Sequence, residues 1–164
     1  FNQTFTFPHR MTLRKTPDGL RMFARPIEEL AQLRTKTHRA AGGELLPDAP
    51  HKVAVAGELF EVRAEFVLGQ ARVVGLDIGG NRVTYDAVAG KLNGNPLKPV
   101  DGKVSMQVLI DRPMIEICGN DGVIYITTDR RKRGAVESVT AFADGGPAKL
   151  VALEAHELKS IWKR

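Results

Sequence analysis

At 164 residues, with 43% hydrophobic and 26% charged residues, the chain has an ordinary globular composition and enough length to enclose one core. That composition excludes intrinsic disorder and collagen-like repeats, and the single cysteine, Cys118, excludes an internal disulfide. The net charge of +5 raises nucleic acid as a partner, but the only dense basic run, Arg130-Arg131-Lys132-Arg133, has no aromatic interleaved to stack on bases. That run reads as a solvated loop, and no nucleic-acid partner is expected. The apolar runs are too short to cross a bilayer, so no membrane partner is expected either. Phe1 opens a strand-like stretch without an initiator Met or a charged-then-apolar leader, so the sequence reads as part of a longer polypeptide.

In chain order, the first turn signal is Pro17-Asp18-Gly19, which predicts a hairpin. Ile27, Leu30, Ala31 and Leu33 are spaced for a turn or two of helix between Ile27 and Arg34, a short helical connector. The polar, Gly- and Pro-containing stretch from Thr35 to Pro50 predicts a long surface loop. The clearest strand follows, where Phe60, Val62, Ala64, Phe66 and Leu68 alternate with Glu61, Arg63, Glu65 and Val67. Val104, Met106, Val108 and Ile110 repeat the period, Ile115 and Ile117 resume it after Pro113, and Tyr125 and Thr127 continue it. Turn residues separate these runs at Gly79-Gly80-Asn81, Asn93-Gly94-Asn95-Pro96, Asp101-Gly102, Asn120-Asp121-Gly122 and Asp144-Gly145-Gly146. From Ala148 to Trp162, Ala, Leu, Glu and Lys favour helix and the alternation is weak. Short alternating runs between tight turns predict an all-β fold, a two-sheet antiparallel β-sandwich of concanavalin or jelly-roll type, as a single domain over residues 1–164.

Glycosidase or general acid–base chemistry needs two carboxyl groups facing one cleft. Asp111, Glu116 and Asp121 lie close in sequence, but Asp121 falls in a turn, and Glu116 alternates with Ile115 and Ile117 and so faces away from the core. All three read as solvated sheet-surface carboxylates, and no catalytic residue is expected. His9, His38, His51 and His156 are scattered and Cys118 has no thiol partner, so no metal site is expected. Ser105, Ser138 and Ser160 lack a nucleophile-elbow context, and the glycine turns lack the ending of a phosphate loop, so no cofactor is expected. Aromatic platforms for sugar are limited to Trp162, Tyr85 and Tyr125. The cluster Phe1, Phe5 and Phe7, with Asn2 and Gln3, instead suggests contact with a partner domain, because large apolar patches rarely stay exposed.

Several segments resemble the C-terminal sandwich of glycoside hydrolase family 32, the family of invertases, levanases and inulinases, and do so in the family's order. They are Phe1-Asn2-Gln3 through Thr6-Phe7-Pro8, Met11-Thr12-Leu13-Arg14, and Gly19-Leu20-Arg21-Met22-Phe23-Ala24-Arg25-Pro26. Val108-Leu109-Ile110-Asp111-Arg112 with Ile115-Glu116-Ile117-Cys118-Gly119-Asn120-Asp121-Gly122 follows, and Leu158-Lys159-Ser160-Ile161-Trp162 closes the series. Cys118 departs from the family's usual aromatic and Pro113 from its usual small polar residue. The resemblance implies a strand, not a helix, in the closing segment. It also implies a parent enzyme whose N-terminal propeller carries the catalytic carboxylates in motifs near Asn-Asp-Pro-Asn-Gly, Arg-Asp-Pro and Glu-Cys, none of which occurs here.

The expectation is therefore a non-catalytic module that supports a catalytic propeller in cis, with Phe1, Asn2, Gln3, Phe5 and Phe7 nearest the junction. The parent's substrate is expected to be a fructan or sucrose, its location secreted or periplasmic rather than cytoplasmic, and a homodimer is compatible with it. A stand-alone carbohydrate-binding module and, behind it, a basic interaction domain are the alternatives.

Overall fold

A computed structural model describes residues 5–161. It opens with a hairpin of β1 (His9–Thr16) and β2 (Gly19–Pro26), then a 3-10 turn over Glu28–Leu33 where the helical connector was expected. The remaining strands are β3 (Arg34–Ala40), β4 (Gly43–Leu45), β5 (His51–Gly57), β6 (Phe60–Val67), β7 (Val73–Ile78), β8 (Asn81–Asp86) and β9 (Lys91–Leu92). They continue through β10 (Asn95–Pro96), β11 (Lys103–Ile110), β12 (Met114–Gly119), β13 (Ile124–Asp129), β14 (Val136–Asp144) and β15 (Ala148–Leu158). One sheet has six strands in the order β10-β9-β8-β7-β14-β5; the other has seven, β13-β12-β11-β6-β15-β3 with β4 also on β15. Their pairings are antiparallel, and the β1–β2 hairpin forms a separate two-stranded sheet.

The period-two pattern fills the space between the sheets. Phe60, Val62, Ala64 and Phe66 of β6 and Val104, Met106, Val108 and Ile110 of β11 point inward against Leu76, Ile78, Val83 and Tyr85 of the facing sheet, all of them buried. Each such aliphatic or aromatic side chain contributes about 1.5–3 kcal/mol by leaving water. Asp101 and Gly102, with φ of 49° and 71°, close a tight turn in which Val100 and Lys103 exchange both backbone hydrogen bonds at 2.9 Å. Left-handed backbone at both turn positions matches the twist of the flanking strands.

Two segments differ from expectation. Residues 35–50 are not a loop throughout, since β3 takes 35–40 and β4 takes 43–45, leaving 46–50 outside the strands. β3 is an edge strand on β15, and an edge needs only backbone pairing on one side, so polar residues serve. Residues 148–158 form a strand of eleven residues rather than a helix, because β15 lies between β6 and β3 and its Leu150, Leu153 and Ala155 enter the core. Tertiary pairing overrides helix propensity there. A register shift between Leu150 and Ala152 explains why its alternation was weak.

Candidate functional site

The polar chemistry collects on the outer face of the seven-stranded sheet. Register places Thr37, His156, Glu61, Leu109, Glu116 and Thr127 in one transverse row across β3, β15, β6, β11, β12 and β13. Directly paired residues share a face, so Glu61 and Glu116 stand on either side of Leu109, with their backbones about 10 Å apart at two strand spacings. Both carboxylates are 1% exposed.

Glu61 is held by charge. Arg34 donates from Nε and Nη2 to Oε2 at 2.7 Å each, Arg63 Nε donates to Oε1 at 2.6 Å, and Gln107 Nε2 donates to Oε1 at 2.8 Å. Burial acts to raise the Glu61 pKa, but the two guanidinium groups outweigh it and keep the carboxyl below its ordinary value. Glu116 is held mainly by neutral donors. The Phe7 backbone N–H reaches Oε1 at 2.9 Å, the Tyr125 hydroxyl donates to Oε2 at 2.5 Å, and His9 Nε2 lies 3.4 Å from Oε2. The His9 and Tyr125 rings meet edge-on with centroids 4.0 Å apart. Burial, and next the bond to Glu116, push the Tyr125 phenol well above its usual range.

This corrects the expectation of a solvated carboxylate at Glu116, whereas Asp121 is exposed in its turn and is ion-paired there. Glu116 does face away from the core, but the segment before β1 and the hairpin itself fold back over it. Asp121, left-handed at φ 58° in the turn after β12, accepts from Arg25 Nη1 at 2.5 Å and Arg14 Nη1 at 3.2 Å. The Arg14 guanidinium lies 4.3 Å above the Phe23 ring, and Phe23 is buried under the hairpin. The hairpin's inner face is thus clamped to the sheet. Its outer face is not covered: Met11, Leu13, Leu20 and Met22 are 52–72% exposed, on one side of the ribbon by the pairings Leu13↔Met22 and Lys15↔Leu20.

These bonds fasten the strands and the hairpin to one another. Glu61 accepts four bonds and Glu116 two, with His9 beside the latter and Leu109 between the two carboxylates. Among the described residues, no group of three or more His, Cys, Asp or Glu is arranged to hold a metal ion. Burial, then the Asp121 charge, push the Cys118 thiol up to about 11, which leaves it a packed, unreactive group.

Of the residues singled out from sequence, Phe1, Asn2, Gln3 and Trp162 lie outside the described residues. Phe5 is 88% exposed. Phe7 lines an apolar groove of about 310 Å³ with Leu30, Leu33, Leu59, Leu158 and Ile161. Tyr85 is corrected as a sugar platform: it is fully buried, and its hydroxyl donates to the Leu97 carbonyl at 3.0 Å. Tyr125 is half-buried beneath His9, with its hydroxyl committed to Glu116. Arg130 is also not solvated, being buried with bonds to the carbonyls of Glu58, Asp111, Lys132 and Gly134. Sequence reasoning missed Glu61 and the hairpin's apolar face. The signal for the latter was present, because Met11 and Leu13 alternate with Arg10, Thr12 and Arg14 around the Pro17-Asp18-Gly19 turn.

Comparison with known proteins places this surface in context. The family model described as "Glycosyl hydrolases family 32 C terminal" matches residues 29–157. A levanase of a Bacillus species is 27% identical over 96% of this chain, and a levanase of Bacillus subtilis is 30% identical over 96%. The chain spans only 20% and 27% of their respective lengths. Among solved structures, exo-inulinase from Aspergillus awamori superposes with a TM-score of 0.77 at 16% identity, covering 96% of this chain and 36% of that one. Fructan 1-exohydrolase IIa from Cichorium intybus gives 0.66 at 16% identity, covering 92% and 40%. At these identities the two structures speak for the sandwich fold alone.

Proposed function

The chain belongs to the C-terminal modules of glycoside hydrolase family 32, and from that premise we propose that it is the non-catalytic sandwich of a fructan- or sucrose-hydrolysing enzyme, supporting a catalytic propeller in cis. One observation carries the reading: its two buried carboxylates, Glu61 and Glu116, are consumed by structural bonds and face no open cleft together. The levanase relatives are four to five times longer than the part aligned here, which leaves room for a catalytic unit elsewhere in the parent. The junction is assigned to Phe1, Asn2, Gln3, Phe5 and the open side of Phe7, within a single module over residues 1–164. A secreted or periplasmic location fits a polymeric substrate too large to enter a cell.

The test is fructose release from sucrose, inulin and levan by the 164-residue chain and by the natural longer polypeptide. Release by the longer polypeptide alone is the expected result. Release by the short chain overturns the non-catalytic assignment.

A further inference from the structure

We infer that the outer face of the seven-stranded sheet carries a carbohydrate site, a polar cleft beside the hairpin with Arg63 and Gln107 on its floor, which takes a fructan chain by its hydroxyl groups. The choice of fructan rests on reading the parent as a fructan or sucrose hydrolase; the cleft itself does not.

Register sets Glu154, Arg63, Gln107 and Cys118 in a row across β15, β6, β11 and β12, one pleat along from the row that holds Glu61. The hairpin and the 3-10 turn supply a wall beside this row through Arg25, Ile27 and Leu30, and the turn after β12 supplies Asp121. Between wall and floor lies a cavity of about 240 Å³. It is adjoined by a second of about 310 Å³ that shares Arg63, Gln107 and Asp121 and has the small residues Ser105 and Ala152 in its lining. Together they reach the range of small-molecule clefts, roughly 300–1,000 Å³.

The chemistry of the lining identifies the ligand class. Every carboxylate that lines the two cavities lies within 3.2 Å of a cationic nitrogen, and every arginine that lines them takes part in such a pair. A charged ligand would lose to one member of each pair what it gained from the other. A neutral polyol satisfies both at once, since each hydroxyl can accept from a guanidinium and donate to a carboxylate in charge-assisted bonds. The pairs also fix the groups in place before a ligand arrives, which lowers the ordering cost of binding. Glu61, 1% exposed, accepts from Arg63 Nε at 2.6 Å and from Gln107 Nε2 at 2.8 Å, and both side chains keep donors to spare for the cleft. Among the described residues no aromatic ring lines either cavity. A pyranose presents a broad apolar face that seeks such a ring, whereas a puckered furanose is read by its hydroxyls.

Amide chemical-shift titration of the 164-residue chain reads the cleft directly, with short levan and inulin oligosaccharides, a maltooligosaccharide and inorganic phosphate as separate ligands. The expected result is saturable shifts with at least one fructan, clustered at Arg63, Ser105, Gln107 and Asp121, with a Kd of about 1 mM or below. Gln107→Leu removes a hydroxyl partner, and Ala152→Arg fills the floor from an exposed position outside the core. Each is expected to weaken fructan binding about tenfold or more with a native-like amide spectrum. No saturable binding of either fructan overturns the proposal, as do shifts centred elsewhere or unchanged affinity in both variants. Equal affinity for phosphate or for the maltooligosaccharide overturns the ligand class. Fructose release by the short chain is a separate readout, and it sinks the supporting role without bearing on whether the cleft binds.

Discussion

Glu61 and Glu116 occupy one row of one sheet face with Leu109 between them, equally hidden from water, and the fold retains them by different chemistry. Glu61 is neutralised by two guanidinium groups whose other ends reach solvent. Glu116 is solvated by a backbone N–H and a phenol, as water would solvate it, with His9 alongside. The contrast shows that a buried carboxylate on a sheet can serve two ends. At Glu61 it ties the edge strand β3 across β15 to β6 through Arg34, and at Glu116 it fastens the segment before β1 down onto β12.

Substitution should separate the two. Glu61→Ala leaves Arg34 and Arg63 facing each other without a counter-charge, and a loss of about 3 kcal/mol is expected in chemical denaturation, moderated because Arg63 is half exposed. Glu61→Gln is expected to lose nearly as much, since the missing element is charge. Glu116→Ala should cost about 2 kcal/mol by orphaning the Phe7 N–H and the Tyr125 hydroxyl. Glu116→Gln retains an acceptor and should cost less than about 1 kcal/mol. Equal losses in the two glutamine variants would collapse the distinction.

Acid should sharpen it further. Burial, reinforced by the Arg34 charge, holds His156 below its ordinary 6.5, so the unfolded chain takes up that proton first. Stability is therefore expected to fall as pH drops from about 6.5 towards the folded value. Glu61 acts lower down: its folded pKa lies below 4.5, so the stabilisation present above 4.5 is lost as pH falls through the folded value. Urea midpoints against pH should show two descending limbs, with His156→Phe flattening the upper one and Glu61→Gln the lower. A single limb unaffected by either variant would contradict both assignments. The smallest effect is chemical: native Cys118 should resist alkylation at neutral pH and react only as fast as the fold opens, and prompt labelling would contradict its burial.

The sandwich was legible wherever alternation was regular, as in β6 and β11, because one face of each strand had to meet the core. β3 was hidden by its polar residues, which an edge strand tolerates, and β15 by a bulge and a helix-forming composition. The functional surface was harder. That Glu116 faces away from the core could be read from its neighbours, but not that residues 109 positions earlier cover it. Tyr85 looked available as a ring on a strand; its inward side of β8 depends on which face meets the second sheet.

The placement of β15 has a consequence in time. It is the last strand among the described residues, yet it lies between β6 and both β3 and β4. Until residues 148–158 leave the ribosome, β6 and β3 border an empty lane, and the inner face of the larger sheet has no continuous surface to close on its partner. Such non-local pairing is slow and exposes unpaired edges while it waits. A chain halted anywhere before β15 is thus left with β6 and β3 unjoined and their edges open to wrong pairing.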